Sequence, residues 1–471
     1  MSRKAWCRRA ILCPMLVWAT FAAAEDNPQQ KLDRQFQSAV AHYDAGQLPE
    51  AAAELEDLLP HVSNNFEAQE LLGLIYASMS DDAKAIVHLE AAVRLKPNSA
   101  PARTNLAASL SRSGSPQLAG EQLQKALTLA PHEYTTNHNL GEFYIKSGKI
   151  SEARPLLARA QRIDPSSYDN GYDLATADLL TGQLAEAREL VQSLLQKKNT
   201  GELHNLLAQI EEKDGQFVAA ANEFETAAHM DPSEDNLFDW ASELLLHRTY
   251  EPAIEVFRSA AQRYPNSPRL MIGLGMSLYA RGLYEDAVKA LLTAADLNPS
   301  DPRCYLFLSK SYDSSPSQAD EVIQRFRRYA ALEPNNALAQ YYYAMSLWKG
   351  KRAEGSGLNF QEVESLLKKS IALNGSIPEA HMQLGNLYAD QRQFEKSIPE
   401  YVRALELNPN LPDAHYRLGT DYVHIGQKDR AQTEFAVYQK LRAQHMAEVD
   451  KERAEVKQFV YSSKPAPSAK P

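Results

Sequence analysis

A small residue recurs along almost the whole of this sequence at a nearly constant interval. The interval is 33 to 35 residues, except for one of 41 residues between Ala344 and Gly385. All twelve positions hold glycine, alanine or serine: Ala39, Gly73, Ala107, Gly141, Ala175, Ala208, Ala241, Gly275, Ser309, Ala344, Gly385 and Gly419. A fixed period of this length indicates an array of repeated units, each stacked on its neighbour. We call these residues the small positions and number the units as repeats one to twelve.

Within each repeat the other residues follow a helical period. In repeat four, apolar side chains recur three and four residues apart on both sides of the turn 147–149, which predicts a helical hairpin. A second series of small residues, such as Ala153, lies 12 residues after the first, and prolines such as Pro165 close most repeats. Small side chains let paired helices approach closely, and proline ends the second helix. One hairpin cannot bury its apolar face alone, so stacked neighbours must form the core.

This pattern resembles the tetratricopeptide repeat (TPR) family, in which Leu-Gly, Tyr, Ala and Pro occur at set offsets. Repeats two, four and eleven carry the resemblance: Leu72, Gly73, Tyr76, Ala85, Ala92 and Pro97; Leu140, Gly141, Tyr144, Ala153, Ala160 and Pro165; and Leu384, Gly385, Tyr388, Tyr401, Ala404 and Pro409. The resemblance covers residues 32–440. It implies an all-α fold, a right-handed superhelical solenoid of about twelve helix–turn–helix repeats, whose first helices line a concave groove.

Repeat ten is seven residues longer than the usual period. The excess falls in 349–360, a segment rich in glycine, lysine and arginine, where we expect an exposed loop between the two helices. Pro155 and Pro399 occupy equivalent positions early in the second helices of repeats four and eleven. We expect each to lie at the start of its helix, where backbone N–H groups have no intrahelical acceptor.

Both ends of the chain differ from the repeats. Residues 1–24 combine a basic start, an apolar stretch of 15 residues and three closing alanines, which is typical of a secretory signal peptide. An uncleaved anchor is the alternative, although the apolar stretch is short for a membrane span. The predicted organisation is then a flexible N-terminus at 25–31, the solenoid at 32–440, a capping helix at 441–462 and a disordered tail at 463–471.

The signal peptide predicts export, with a periplasmic or extracellular location in a bacterial cell envelope. Its removal takes away four basic and no acidic residues, leaving 46 basic and 60 acidic residues and a formal charge of −14. Such an acidic chain is a poor candidate for binding nucleic acid. Of three cysteines only Cys304 would remain, so we expect no internal disulfide and a buried, inert thiol. No segment after the signal peptide is apolar enough to predict a transmembrane helix.

No familiar catalytic motif occurs in the sequence. The GxxxxGK[ST] and GxGxxG loops, the HExxH zinc motif, the GxSxG elbow and the CxxC pair are all missing. The twelve histidines are scattered, and His132 and His138 are expected to be solvated or capping residues rather than metal ligands. We therefore expect no enzymatic activity, no cofactor and no metal. An enzyme with unrecognised chemistry is the least favoured hypothesis.

Binding of another molecule is the function that the sequence leaves open. The residues of the first helices that face the groove can be located from the small positions. Residues three before, one after and four after a small position share a helix face. In the early repeats this face is polar and mostly acidic: Asp33, Glu70, Thr104, His138, Glu142 and Asn205. In the later repeats it forms an aromatic and methionine stripe with two polar breaks: Met276, Tyr279, Lys310, Tyr341, Met345, Trp348, Met382, Asn386 and Tyr416. Such side chains are common in peptide-binding grooves, although they also pack against neighbouring helices.

The sequence thus favours an exported, non-catalytic scaffold that binds a protein or peptide partner in its concave groove. One subclass of the family grips a C-terminal carboxylate with repeated lysines and asparagines, but here Lys310 and Asn386 are isolated. Neither the partner nor the oligomeric state follows from the sequence. The alternative is a TPR subunit or assembly factor of a cell-envelope secretion or polysaccharide-export complex.

Overall fold

The computed structural model describes residues 28–353 and 359–444. Several predicted segments lie outside these residues: the signal peptide, residues 25–27, the middle of the repeat-ten insertion (354–358), most of the capping helix (445–462) and the tail. Within the described residues every regular element is a helix. The chain divides into two compact units between Asn199 and Thr200.

The first unit contains repeats one to five, each a pair of α-helices. Its helices are α1 (Pro28–Asp44), α2 (Leu48–Leu58), α3 (Phe66–Ser78), α4 (Asp82–Leu95), α5 (Ala100–Arg112), α6 (Pro116–Leu129), α7 (Tyr134–Lys146), α8 (Ile150–Ile163), α9 (Tyr168–Thr181) and α10 (Leu184–Lys197). A short 3₁₀ helix at Leu59–His61 follows α2. Each helix packs on the next one in the chain, so the apolar core runs between successive pairs.

The second unit contains repeats six to twelve. Its helices are α11 (Gly201–Lys213), α12 (Phe217–Met230), α13 (Glu234–Leu246), α14 (Tyr250–Arg263), α15 (Pro268–Arg281), α16 (Tyr284–Leu297), α17 (Pro302–Ser314), α18 (Ala319–Leu332), α19 (Ala337–Ala353), α20 (Phe360–Leu373), α21 (Pro378–Asp390), α22 (Phe394–Leu407), α23 (Pro412–His424) and α24 (428–444). The described residues therefore form 24 α-helices, two for each small position. This confirms the predicted all-α solenoid of about twelve helix pairs.

The small positions are explained by the close approach of the two helices of one repeat. A Cβ atom built on Gly141 would lie 2.7 Å from Leu157 Cγ, and one built on Gly275 would lie 2.5 Å from Leu291 Cγ. Both leucines are fully buried, so they have no room to move away. The residue 16 positions after the small position thus fills the space that the missing side chain leaves open.

The turn between the paired helices has a conformational requirement of its own. In ten of the twelve repeats the backbone is left-handed seven residues after the small position, as at Gly148 (φ 72°). Glycine adopts this conformation without steric cost, which accounts for its recurrence in the turns. Repeats two, seven and eleven hold Ser80 (φ 64°), Arg248 (φ 59°) and Arg392 (φ 59°) there instead.

Two segment boundaries differ from those predicted. Helix α1 begins at Pro28, so residues 28–31 are helical rather than flexible. Helix α19 continues to Ala353, so the first part of the repeat-ten insertion extends the helix instead of forming a loop. The extended part of α19 contacts repeat nine, where Lys349 Nζ pairs with Asp313 Oδ1 at 2.5 Å.

Pro155 lies inside α8 rather than at its start, which corrects the prediction. It is the sixth residue of the helix, and the first backbone bond of the turn is already made from Ala153 N to Lys149 O at 3.0 Å. The proline therefore removes the bond that the Ser151 carbonyl would otherwise accept. Both Ser151 and Pro155 are exposed, so water can reach that carbonyl. Pro399 occupies the same sixth position in α22.

Replacing Pro155 by alanine is expected to stabilise the first unit by about 1 kcal/mol. The variant regains the Ser151 hydrogen bond and helix propensity, and a more flexible unfolded chain offsets part of the gain. Urea unfolding of the full chain measures the change. The control is Pro97→Ala, which alters a loop proline and restores no helical bond. If Pro155→Ala is no more stable than the parent, the proline does not destabilise α8.

Candidate functional site

All nine predicted groove residues lie on first helices of the second unit. Helix α15 carries Met276 and Tyr279, α17 carries Lys310, α19 carries Tyr341, Met345 and Trp348, α21 carries Met382 and Asn386, and α23 carries Tyr416. Among these first helices, α15 contacts α17, α17 contacts α19, and α21 contacts α23. Residues at equal offsets from the small positions therefore lie on adjoining helices. Their exposure, however, divides the nine into three groups.

Met345 and Trp348 are core residues, so a partner cannot reach them without movement of α19. Their side chains are 7% and 5% exposed and belong to the largest apolar cluster of the second unit. Trp348 Nε1 is buried without a hydrogen-bond partner among the described residues. The cause is the composition of α19, which is apolar on nearly all sides and is buried on nearly all sides.

Five of the candidates are half-buried: Asn386 and four residues that pack against apolar clusters. Met276, Tyr279 and Tyr341 pack against the same cluster, and Met382 packs against the cluster around Tyr401. The Tyr279 ring meets Phe307 edge-on, with ring centroids 6.1 Å apart. Each of these side chains presents only part of its surface to a partner.

Asn386 is occupied by contacts within its own repeat. The Tyr401 hydroxyl donates to Asn386 Oδ1 at 2.7 Å, and Asn386 Nδ2 donates to Gln383 Oε1 at 3.0 Å. The amide is thus used to join α21 to α22. Its place in the predicted stripe has a structural explanation.

Lys310 and Tyr416 are exposed, and three aliphatic residues absent from the prediction join them. Leu306, Leu338 and Val423 are 38%, 44% and 49% exposed, and Tyr416 is 48% exposed. Leu306 and Val423 stand at the offsets that produced the predicted stripe, so the sequence contained the signal for them. Leu338 lies three residues before Tyr341, on the same helix face. We call Leu306, Lys310, Leu338, Tyr416 and Val423 the second-unit patch.

The charge in this patch is positive. Lys310 Nζ lies 5.6 Å from the centroid of the Phe307 ring. Among the residues that the structure describes, Lys310 makes no ion pair. Its ammonium group is therefore open to an anionic group on a partner, next to exposed aliphatic side chains.

Several histidines of the second unit have a structural role that was not predicted from the sequence. His204, His381 and His415 each stand four residues before a small position, and each Nδ1 faces a glutamate 19 residues later, at 2.5, 2.7 and 2.5 Å. His415 Nε2 also lies 3.0 Å from the carbonyl oxygen of Pro409. These rings join the two helices of a repeat, and His381 and His415 also bind the loop before the first helix. The 19-residue spacing of histidine and glutamate could have revealed the pairing.

His138 in the first unit is neither solvated nor capping, contrary to the prediction. It is buried, its Nδ1 lies 3.1 Å from Asn170 Oδ1, and its ring stacks on Tyr134 with centroids 5.3 Å apart. Burial lowers the pKa of His138, with the Asn170 hydrogen bond acting in the opposite direction. The imidazole is therefore neutral at physiological pH. His132 is exposed.

Cys304 is buried at the start of α17, as predicted for an inert thiol. Its Sγ lies 3.1 Å from the carbonyl oxygen of Asp301, and burial raises the pKa of the thiol to about 12. The reactive thiolate is therefore very scarce at neutral pH. In residues 28–353 and 359–444, no group of three histidine, cysteine, aspartate or glutamate side chains is placed to hold a metal ion.

Sequence models of tetratricopeptide repeats match most of the repeat array. One described as Tetratricopeptide repeat matches residues 110–168, 146–210 and 244–310, and a second of that description matches 36–100. A third, described as TPR repeat, matches 385–423. Together they span more than half of the chain. This chain belongs to the tetratricopeptide repeat family. TPR proteins act as scaffolds that bind other proteins.

Solved TPR structures resemble the chain at low identity. Yeast Tom70 is 16% identical, with 93% of this chain and 98% of that chain covered and a TM-score of 0.36. The type IV pilus biogenesis factor PilW is 23% identical, with 44% and 96% covered and a TM-score of 0.39. The chain of the APC/C Cut9–Hcn1 hetero-tetramer is 16% identical, with 88% and 87% covered and a TM-score of 0.38. No curated protein matches the sequence.

Across the described ranges, every helix is either too short or too polar to cross a bilayer.

Proposed function

We propose that this TPR protein is an exported, non-catalytic scaffold whose second-unit patch binds a protein or peptide partner. The observation that carries the proposal is the exposure of Leu306, Tyr416 and Val423 at the groove offsets of first helices, with the exposed Leu338 three residues before the groove residue Tyr341. Exposed apolar side chains favour association, because contact with a partner removes them from water.

The chemistry of the patch limits the partner. Leucine and valine side chains fit aliphatic or aromatic side chains, and Tyr416 adds a flat ring that lies 5.2 Å from the Tyr438 ring. The unpaired Lys310 favours a carboxylate beside those apolar groups. We infer a partner segment that is apolar with at least one acidic residue. The half-buried Met276, Tyr279, Tyr341 and Met382 would line the floor of such a site.

The test removes the patch and spares the core. In the triple variant Leu306→Ser, Leu338→Ser and Tyr416→Ala, affinity for the partner is expected to fall at least about tenfold. The partner is first recovered from an envelope extract on immobilised full chain and identified. Its affinity for parent and variants is then measured with purified proteins.

The matched control changes similarly exposed leucines on second helices of the same unit. Leu332→Ser and Leu373→Ser remove apolar surface from α18 and α20, away from the patch. This control is expected to bind as the parent does. If the triple variant keeps the parental affinity, or the control loses as much, the patch is not the binding site.

Export rests on residues 1–24 and is tested separately. The N-terminus of the protein purified from its native host is expected to follow Ala24, which N-terminal sequencing reveals. The alternative, a subunit or assembly factor of an envelope secretion or polysaccharide-export complex, is favoured by the same signal peptide. Comigration with a detergent-solubilised membrane complex on a sizing column would support that alternative over a free scaffold.

A further inference from the structure

The loop between α20 and α21 holds an asparagine–glycine pair at a place where repeats eight and eleven have asparagine–proline. Asn374 and Gly375 follow α20, and both residues are exposed. The equivalent pair after α22 is Asn408–Pro409. Proline has no backbone N–H, whereas glycine has one and adopts a wide range of backbone angles. Repeat ten therefore carries a backbone N–H beside an asparagine side chain, at a position where repeat eleven has none.

The hydrogen bonds around this pair favour a reaction between its two residues. The backbone N–H of Ser376 donates to Asn374 Oδ1 at 3.0 Å, which draws electron density away from the side-chain carbonyl carbon Cγ. Neither Asn374 Nδ2 nor the Gly375 N–H has a hydrogen-bond partner among the residues that the structure describes. The carbonyl carbon is thus polarised, and the two nitrogens on either side of it are not held by other groups of the protein.

The other asparagine–glycine pair of the sequence, Asn170–Gly171, lies in α9 of the first unit. Asn170 is fully buried, and its Nδ2 donates to the Leu157 carbonyl at 3.0 Å and to Gln161 Oε1 at 2.7 Å. The Gly171 N–H donates to the Ser167 carbonyl at 3.2 Å. Both nitrogens are therefore held by the fold, and the same dipeptide provides an internal control.

We propose that Asn374 is a site of spontaneous deamidation, with the Gly375 nitrogen as the nucleophile. This nitrogen forms a bond to Asn374 Cγ, the Cγ–Nδ2 bond breaks, and ammonia leaves with the proton of the Gly375 N–H. Water then opens the resulting succinimide ring at one of its two carbonyl carbons. Opening at Cγ gives aspartate, and opening at the main-chain carbon gives isoaspartate. Asparagine and water are thus converted to aspartate or isoaspartate and ammonia.

The modified loop anchors the start of α21. His381 Nε2 lies 3.3 Å from the Gly375 carbonyl oxygen, and His381 Nδ1 lies 2.7 Å from Glu400 Oε2 in α22. Isoaspartate adds one carbon atom to the main chain, so it shifts the Gly375 carbonyl relative to this ring. Deamidation therefore acts on the contact between the loop and α21. The site lies outside the second-unit patch and does not depend on the proposed binding function.

Peptide mapping of the full chain by mass spectrometry tests the proposal. During incubation at mildly alkaline pH, the amide of Asn374 is expected to be lost at least about tenfold faster than that of Asn408 or Asn170, with aspartate and isoaspartate as products. In urea, Asn170 should react about as fast as Asn374, because unfolding breaks the hydrogen bonds that hold it. Equal rates at Asn374 and Asn408 in the folded chain would overturn the proposal, and so would an Asn170 that stays intact in urea.

Gly375→Pro removes the attacking N–H and restores the asparagine–proline pair of repeats eight and eleven. Proline fits this loop position, since the Pro409 carbonyl oxygen lies 3.0 Å from His415 Nε2 in the same arrangement. Deamidation of Asn374 is expected to slow at least about tenfold in this variant, which corresponds to a barrier higher by about 1.4 kcal/mol. A parental rate in Gly375→Pro, or aspartate as the sole product in the parent, would mean that water attacks the amide directly and that Gly375 is not the nucleophile.

Hydrogen exchange measures the effect of the modification on α21. In the isoaspartate form, separated from the parent by ion exchange, amides of α21 are expected to lose protection about tenfold. The matched control is Asn374→Asp, which adds the same charge but keeps the normal main chain, and its protection should stay within about twofold of the parent. If the isoaspartate form is as well protected as Asn374→Asp, the Gly375 carbonyl does not anchor α21 and that part of the proposal is wrong.

Discussion

Replacing Tyr401 by alanine is expected to lower the free energy of unfolding of the second unit by about 3–5 kcal/mol. The ring is fully buried in α22 and lies directly over a small position, since a Cβ atom built on Gly385 would be 2.8 Å from its ring carbons. Alanine would leave a cavity between α21 and α22 that neighbouring side chains cannot fill. The loss of the hydroxyl would also free the Asn386 acceptor.

Hydrogen exchange measures this effect where it occurs, because each repeat depends mainly on its neighbours. Amides of α21, α22 and α23 are expected to lose protection, while those of α11 and α12 are unaffected. Tyr401→Phe removes only the hydroxyl bond and should cost about 1 kcal/mol. Tyr416→Ala is the exposed control and should cost less than about 1 kcal/mol. Comparable losses for Tyr401→Ala and Tyr416→Ala would contradict the role of Tyr401 as the partner of the small position.

The fold could be predicted from the sequence because the close approach of the two helices requires a small residue in every repeat. Gly141 and Gly275 face buried leucines 16 residues later, and no larger side chain fits there. Because backbones this close allow only a few residue types, the small positions are visible in the sequence as a regular period. The place of Pro155 within α8 could not be predicted in the same way, because it depends on the residue at which the helix begins.

The candidate site was only partly predictable. The distance of a residue from the small position indicates the helix face on which it lies, but not how exposed its side chain is. Met345 and Tyr416 both satisfy the groove rule, yet Met345 is in the core and Tyr416 is open. The difference comes from the rest of each helix. In α19 the run Tyr341 to Tyr343 places aromatic rings on several sides, which indicates burial all round. The offset rule alone, applied strictly, would have included Leu306.

The buried pair of the first unit shows how the repeats tolerate charge. Arg154 Nε in α8 donates to Asp178 Oδ1 in α9 at 2.5 Å, and the aspartate side chain is almost fully buried. Burial raises the pKa of Asp178, and Arg154 opposes this rise. At the same offset, three residues after the small position, repeat three has Leu110 and repeat four Tyr144. The position thus normally holds a neutral side chain, and the aspartate depends on its arginine.

Arg154→Leu is therefore expected to destabilise the first unit by about 2–3 kcal/mol at pH 8, as its Asp178 carboxylate would be buried without a counter-charge. Because the folded state already holds the proton of Asp178 more tightly than the unfolded chain, stability falls as the pH rises through the folded-state pKa. Loss of Arg154 raises that pKa further, so the destabilisation should shrink as the pH is lowered toward 5. Urea unfolding across this pH range measures the trend.

Two further variants separate the buried pair from a general loss of charge. Arg94→Leu breaks the exposed pair with Glu90, 3.8 Å apart, and should cost less than about 1 kcal/mol with little pH dependence. Arg154→Leu combined with Asp178→Leu removes both charges and should recover most of the lost stability, because leucine already occupies this offset as Leu110. If the double variant is as unstable as Arg154→Leu alone, the loss of stability comes from the packing of the aliphatic part of the arginine side chain and not from the unpaired Asp178 carboxylate.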